Sequence, residues 1–507
     1  MHRYYQEQYQ LNGGKQNRYT TGSDAVGLTQ GVYDTRALPI YKYLHSPGHP
    51  DYAIADRFFQ AAFGGSFLTH QWLIAAATPT YPGAPENLHS IVDANGMPTS
   101  YPLYTATSTV RDAALTAACG GSTPAGLGCG DFAVNTIQPF VQPFSSPAAV
   151  KLPLQTAPTI GDRLSAKGID WAWYSGGWSN ANGDVGAPGW TNGTAPGPCT
   201  DPNTATGAVF PNCPDKLFQF HHQPFNYFAN YASGPARAAH LRDEAEFEAA
   251  ALASKKHCAL KPVSIIKPIG AENEHPGYAS EHSGSSHLVD LLSAIQSSRC
   301  AKDTMVIVTY DEFGGQWDHV SPPGLGGTGP SDQWGPSTRI PALVLAPRLR
   351  DDFVVDRVSH DTTSILATIE HRFGLDPLTS RDGAVSDLSS VFSARGPHRH
   401  RYSDRSIPRH ARRTSRDVRR APSAGGCARA RRGLPSARWS PGCSAIRHGP
   451  TPFWASRSPS CSWPSPPWAS ATRASTRSPT RAARSPAWPS RCAAGGRSSP
   501  SPSSSPR

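Results

Sequence analysis

The stretch Thr304-Met-Val-Ile-Val-Thr-Tyr-Asp-Glu-Phe-Gly-Gly-Gln-Trp-Asp-His-Val320 decides the architecture. Its first seven residues form a short apolar, β-branched run that reads as a buried strand. That strand runs straight into two adjacent carboxylates, Asp311 and Glu312, and then into a Gly-Gly turn. Working outward, Ile340-Pro-Ala-Leu-Val-Leu-Ala346 has the same character. Val263-Ser-Ile-Ile-Lys267 and Asp170-Trp-Ala-Trp-Tyr174 are weaker strand candidates. Between residues 285 and 298, Leu288, Leu291, Leu292 and Ile295 recur at helical spacing. So do Ile365, Leu366, Ile369 and Phe373, with Gly374 as the stop signal. Strands alternating with helices predict an α/β fold, a mostly parallel sheet flanked by helices on both faces. Sites in such sheets lie at the carboxyl ends of strands. The Gly/Pro/Asn-rich stretches 80–150 and 176–215 read as long loop or cap insertions.

The net charge of +11 over 507 residues is unevenly spread. Residues 397–507 hold 22 Arg, no Lys, two Asp and no Glu, a net of +20. The first 396 residues therefore carry 26 basic and 35 acidic side chains, a net of −9. The Arg/Ser/Pro-rich tail is too poor in apolar periodicity to offset its ordering entropy, so disorder is expected there. Out-of-frame translation of a GC-rich gene explains its composition better than a basic arm for anionic polymers does. The domain reading is a globular body at 1–396 and a separate tail at 397–507. Six cysteines lie in the body, with no C-x-x-C pair, which disfavours a zinc knuckle. Disulfides in an oxidising compartment and scattered free thiols both remain open. No run of 18 apolar residues occurs, so no membrane span is expected. No signal peptide opens the chain.

Adjacent carboxylates at a strand end repel unless a cation relieves them, and hard divalent cations favour such oxygens. Ala61-Ala-Phe-Gly-Gly-Ser-Phe-Leu-Thr-His70 places Ser66 after a Gly-Gly turn at a helix start. A helix start offers N–H groups to a phosphate. The same pattern also suits a plain helix cap. His221, His222, His275 and His319 sit beside aromatic, carboxylate or Gly-turn motifs, where imidazoles can serve phosphate chemistry. The Gly-rich run 324–329 mimics a phosphate loop, but it neither follows a strand nor opens a helix.

Together these motifs resemble the bacterial phosphoesterase family of acid phosphatase A-type enzymes and non-haemolytic phospholipases C, whose fold is related to alkaline phosphatase. The matching stretches are HRYYQEQYQLNGGKQNRY (2–19), GSDAVGLTQGVYDT (22–35), ADRFFQAAFGGSFLTHQWLIAA (55–76), TIGDRLSAKGIDWAWYSGGW (159–178), LFQFHHQPFNYF (217–228), NEHPGYASEHSG (273–284), DTMVIVTYDEFGGQWDHVSPP (303–323) and HDTTSILATIEHRFGL (360–375). The HHQPF and FGGSF forms look closer to the acid phosphatase branch.

The resemblance implies phosphomonoester hydrolysis through a Ser66 phospho-enzyme with a divalent metal. Ser66, His221, His222, His275, Asp311 and His2 would form the catalytic set, and Asp311, Glu312 and Ser66 would touch the metal. The substrate would be a small phosphate ester or a phospholipid. No specific nucleic-acid partner is expected. Location would be periplasmic or secreted. Phospholipid head-group cleavage is the first alternative, with Trp171, Trp173, Tyr174 and Trp178 as an aromatic cage for choline or else as core. An inactive remnant, or a polyanion binder acting through the tail, is the second. The family's opening Met-Glu-Asn-Arg-Ser-Phe-Asp block has no counterpart here. Loose metal binding, an unpaired strand edge and little activity are therefore expected of residues 1–507 alone.

Overall fold

A computed structural model describes residues 2–120, 123–325 and 329–396. The tail from 397, and residues 326–328 of the Gly-rich run, lie outside the described residues. The strands are β1 (Tyr52–Phe59), β2 (Trp171–Ser175), β3 (Leu241–Asp243), β4 (Val263–Lys267), β5 (Val306–Thr309), β6 (Ala342–Leu345) and β7 (Phe353–Asp361). The α-helices are α1 (Tyr4–Leu11), α2 (Pro39–Leu44), α3 (Ser66–Ala75), α4 (Ile160–Ala166), α5 (Trp178–Asn182), α6 (Gly234–His240), α7 (Glu244–Ala253), α8 (Glu281–Gln296) and α9 (Thr363–Phe373).

The α/β class is as the sequence predicts, and the four strand candidates and two helix candidates all form. The sheet itself is divided. One sheet has the order β5-β6-β1-β7, with β1 and β7 parallel and the other two pairings antiparallel. The other, β3-β2-β4, is parallel throughout. Both sheets border a cavity of about 1680 Å³ lined by β4, β5 and parts of β1, β6, α8 and α9. Among the described residues β4 pairs only with β2, and β5 only with β6. The expectation of a buried strand at 304–310 is corrected accordingly. All four residues of β5 are half-buried, because one edge faces the cavity. β6 is mostly buried, as expected.

Local chemistry sets the helix ends. Ser280 caps α8 by accepting from Ser283 N, and Gly374 ends α9 in the left-handed region at φ +63°. Trp171, Trp173, Tyr174 and Trp178 are all buried in the core, and only Trp173 borders the cavity. They do not form an open aromatic cage. The six body cysteines form the disulfides Cys119–Cys129, Cys199–Cys213 and Cys258–Cys300. The stretches 80–150 and 176–215 are mostly irregular chain held by isolated bridges, as expected of insertions.

Glu7 of α1, which is fully buried, ties the N-terminal helix to the turn after β1 and to Thr338. Its carboxylate accepts from Gly64 N (2.5 Å), Gln60 Nε2 (2.9 Å) and Thr338 Oγ1 (2.7 Å). Burial pushes Glu7 up to about 7, against the pull of Gly64 N and Thr338. An unfolded Glu ionises near 4.5, so its contribution to stability falls as pH rises from there through about 7. Glu7→Gln is expected to be less stable than the native chain at pH 4.5, with the gap narrowing towards pH 8. Thermal melts across that range check this, and a gap that widens contradicts it.

Candidate active site

Ser66 is the first residue of α3, and no side chain caps that helix, so its leading N–H groups face the Ser66 turn. The turn is built by close approach. Gly64 has φ +102°, and a Cβ on Gly65 would lie 2.5 Å from the His2 carbonyl oxygen. Only glycine allows the N-terminal segment to pass so near.

Asp311 follows β5, and Lys267 ends β4, so the two sheets meet at their carboxyl ends. Lys267 Nζ lies 3.4 Å from Asp311 Oδ1. His70, one helical turn beyond Ser66, puts Nδ1 at 3.5 Å from Asp311 Oδ2 and at 2.6 Å from the Ser66 carbonyl oxygen. The His70 and His222 rings stack at 4.9 Å, and His221 meets His222 edge-on at 4.6 Å. Trp173 Nε1 donates to the His222 carbonyl at 2.9 Å and holds that segment.

The charges are unevenly poised. Burial alone would raise the Asp311 carboxyl, but Lys267, His70 and the Ser66 hydroxyl outweigh it and hold the group well below the usual carboxylate range. Asp311 Oδ2 is buried with no hydrogen-bond partner. Burial, then Lys267, lowers His70 to about 4. Burial, then His70, lowers His221 to about 3. Burial, then Lys267, holds His222 well below the usual imidazole value. The imidazoles at the centre are therefore neutral at pH 7, and the standing positive charge is the Lys267 ammonium.

The remaining candidates lie on one flank. His2 Nδ1 pairs with Glu312 Oε1, and the Glu312 carboxylate raises the His2 pKa against its burial. The His2 ring lies 5.3 Å from His275, which stacks on Tyr278 at 4.3 Å. His275 is near enough to bear electrostatically on His221 and His222. Glu312 also accepts from Gly314 N at 2.6 Å. Glu312 thus pairs with His2. His70, His222 and Asp311 form a group that could hold a metal ion, with ligand atoms within 4.8 Å of one another. Two neutral imidazoles and a carboxylate with an unpartnered oxygen fit a divalent cation.

His70 and Lys267 were not singled out in the sequence. The i, i+4 spacing of Ser66 and His70 on one helix, and a lysine ending an apolar strand, were the available signals.

The Phosphoesterase family profile matches residues 1–376. The chain belongs to the Phosphoesterase family. Among curated proteins, "Non-specific phospholipase C6" of Arabidopsis thaliana is 29% identical over 147 residues, 25% of this chain and 28% of that protein. "Phospholipase C B" of Mycobacterium tuberculosis is 34% identical over 166 residues, 27% of this chain and 30% of that protein. The aligned region thus spans under a third of the length of these relatives. A solved 2-O GAG sulfatase aligns over 74% of this chain and 72% of its own at 12% identity, with a TM-score of 0.29, too slight a likeness to bear on the fold.

Asp311→Asn is expected to weaken Mn²⁺ or Zn²⁺ binding strongly, whereas Glu312→Gln leaves it within about threefold, a difference small against the tenfold that 1.4 kcal/mol represents. Calorimetric titration decides, and equal losses would place Glu312 in the metal site.

Proposed function

We propose that the chain hydrolyses phosphate esters through a covalent Ser66 phospho-enzyme, most directly as a phosphomonoesterase. The observation that carries this reading is the placement of Ser66 on an uncapped helix start beside the Asp311–Lys267 pair and three neutral imidazoles.

The helix-start N–H groups and Lys267 bind the phosphoryl oxygens. The neutral His221 imidazole, which lies outside the candidate metal group, takes the Ser66 proton as Oγ attacks phosphorus. The ester P–O bond breaks, and the leaving alkoxide takes a proton from the imidazolium so formed or from His275. Water then attacks the phosphoserine, giving inorganic phosphate and restoring the Ser66 hydroxyl. His2, held by Glu312, flanks the entering ester. A divalent cation held by His70, His222 and Asp311, next to Ser66, would polarise the phosphoryl oxygens and lower the pKa of the attacking hydroxyl.

A phosphodiesterase reading, with phospholipid head groups as leaving groups, is favoured by the relatives, which are named phospholipases C. The burial of all four candidate cage aromatics weighs against choline selection through them. Three disulfides support an oxidising, extracytoplasmic location. Among the described residues no helix is long and apolar enough to cross a membrane.

The test compares p-nitrophenyl phosphate with p-nitrophenyl phosphorylcholine. Preference for the first supports the monoesterase, and preference for the second the diesterase. Ser66→Ala is expected to lower kcat on the preferred substrate by several orders of magnitude with the fold intact. Activity kept within about tenfold would remove Ser66 from the nucleophile role.

A further inference from the structure

We propose that Gln60 is a positioning residue whose carboxamide fixes the turn carrying Ser66 against the turn carrying Asp311. The inference rests on the reading of Ser66 and Asp311 as partners in one reaction.

Gln60 follows β1 directly and is fully buried. Its Oε1 accepts from Phe313 N at 2.8 Å, two residues beyond Asp311. Its Nε2 faces Gly64 O (3.1 Å), two residues before Ser66, together with Ala62 O (2.7 Å) and Glu7 Oε2 (2.9 Å). One planar amide therefore spans two turns more than 200 residues apart in sequence. Its own backbone is pinned on both sides, with Gln60 N donating to Thr338 O (3.1 Å) and Gln60 O accepting from Ser337 N (2.9 Å).

The side-chain chemistry is demanding. The position needs an acceptor towards Phe313 and a donor towards two carbonyls and a carboxylate, and a primary amide offers both. A glutamate would set a second acceptor against Glu7 Oε2 and the two carbonyls. An apolar side chain would leave Phe313 N and the carbonyls of the Ser66 turn without this partner in a buried site. Either change loosens the distance between nucleophile and carboxylate without touching a group that contacts substrate. A displacement near 1 Å can lower a rate by about a hundredfold. The rate of the chemical step is thus the quantity that Gln60 governs, and substrate affinity is not.

The test is the kinetics of Gln60→Met on p-nitrophenyl phosphate, or on the phosphorylcholine ester if that is preferred, well below the melting temperature. Gln155→Met is the control. Gln155 is a buried glutamine whose amide joins Thr80 and Pro153 (2.7 to 3.0 Å), just after the 80–150 stretch. Gln60→Met is expected to lower kcat by at least about tenfold while KM stays within about twofold. Gln155→Met is expected to lose melting temperature with kcat kept. Gln60→Asn, which keeps the amide but is one methylene too short to span both turns, should show the same kcat loss with a smaller fall in stability. It decides the matter if the methionine variant does not fold. A kcat kept in the Gln60 variants, or lost equally in the Gln155 control, overturns the proposal. Native turnover in Ser66→Ala would instead overturn the reading of the site on which it rests.

Discussion

The active centre depends on a carboxylate that never meets the substrate. Glu7, buried in the N-terminal helix, draws in Gly64 N, Gln60 Nε2 and Thr338 Oγ1. A buried carboxylate left without donors is strongly disfavoured, so these groups cannot drift apart independently. One of them belongs to the glycine turn of Ser66, and another reaches Phe313 beside Asp311. A second clamp works from the far side of the same turn. The buried Arg381 donates to Ala61 O (3.2 Å), Gly335 O (2.8 Å) and Asp361 Oδ2 (3.0 Å). The backbone that presents Ser66, the proposed nucleophile, is thereby held from two directions, by the Glu7 carboxyl and by the Arg381 guanidinium.

That rigidity matters because the centre is electrostatically unbalanced. One carboxylate, one ammonium and a stack of neutral imidazoles share a partly desolvated space at the ends of β4 and β5. Burial keeps the imidazoles uncharged, which leaves them able to accept a proton and to ligate a cation. The Asp311 carboxylate divides its oxygens, one towards Lys267 and one without a hydrogen-bond partner.

The elements around this centre were largely legible in sequence, because apolar runs and helical spacing are local signals. Val263–Lys267 forms a strand with the expected ends, and Gly374 stops α9 as a C-cap glycine should. Ser66, His222 and Asp311 could be picked out because each sits in a motif with its own turn or strand end. What the sequence did not reveal is relational. The split of the sheet depends on which edges find partners, and residue patterns do not state that. The direction of Glu312 depends on His2, 310 residues away. Gln60 looks like any polar residue after a strand until its bond to Phe313, 253 residues on, is seen. His70 had a local signal, its helical spacing from Ser66, but its value depends on Asp311 standing opposite.

The central claim is that Ser66 becomes covalently phosphorylated in a centre shared with Asp311. The most direct measurement is mass spectrometry of the protein quenched in acid during turnover of a phosphate ester. The account predicts phosphoserine on the peptide containing Ser66, present with native Asp311 and lost or strongly reduced in Asp311→Asn. Turnover without phosphate on that peptide, or with phosphate on another residue, would contradict it.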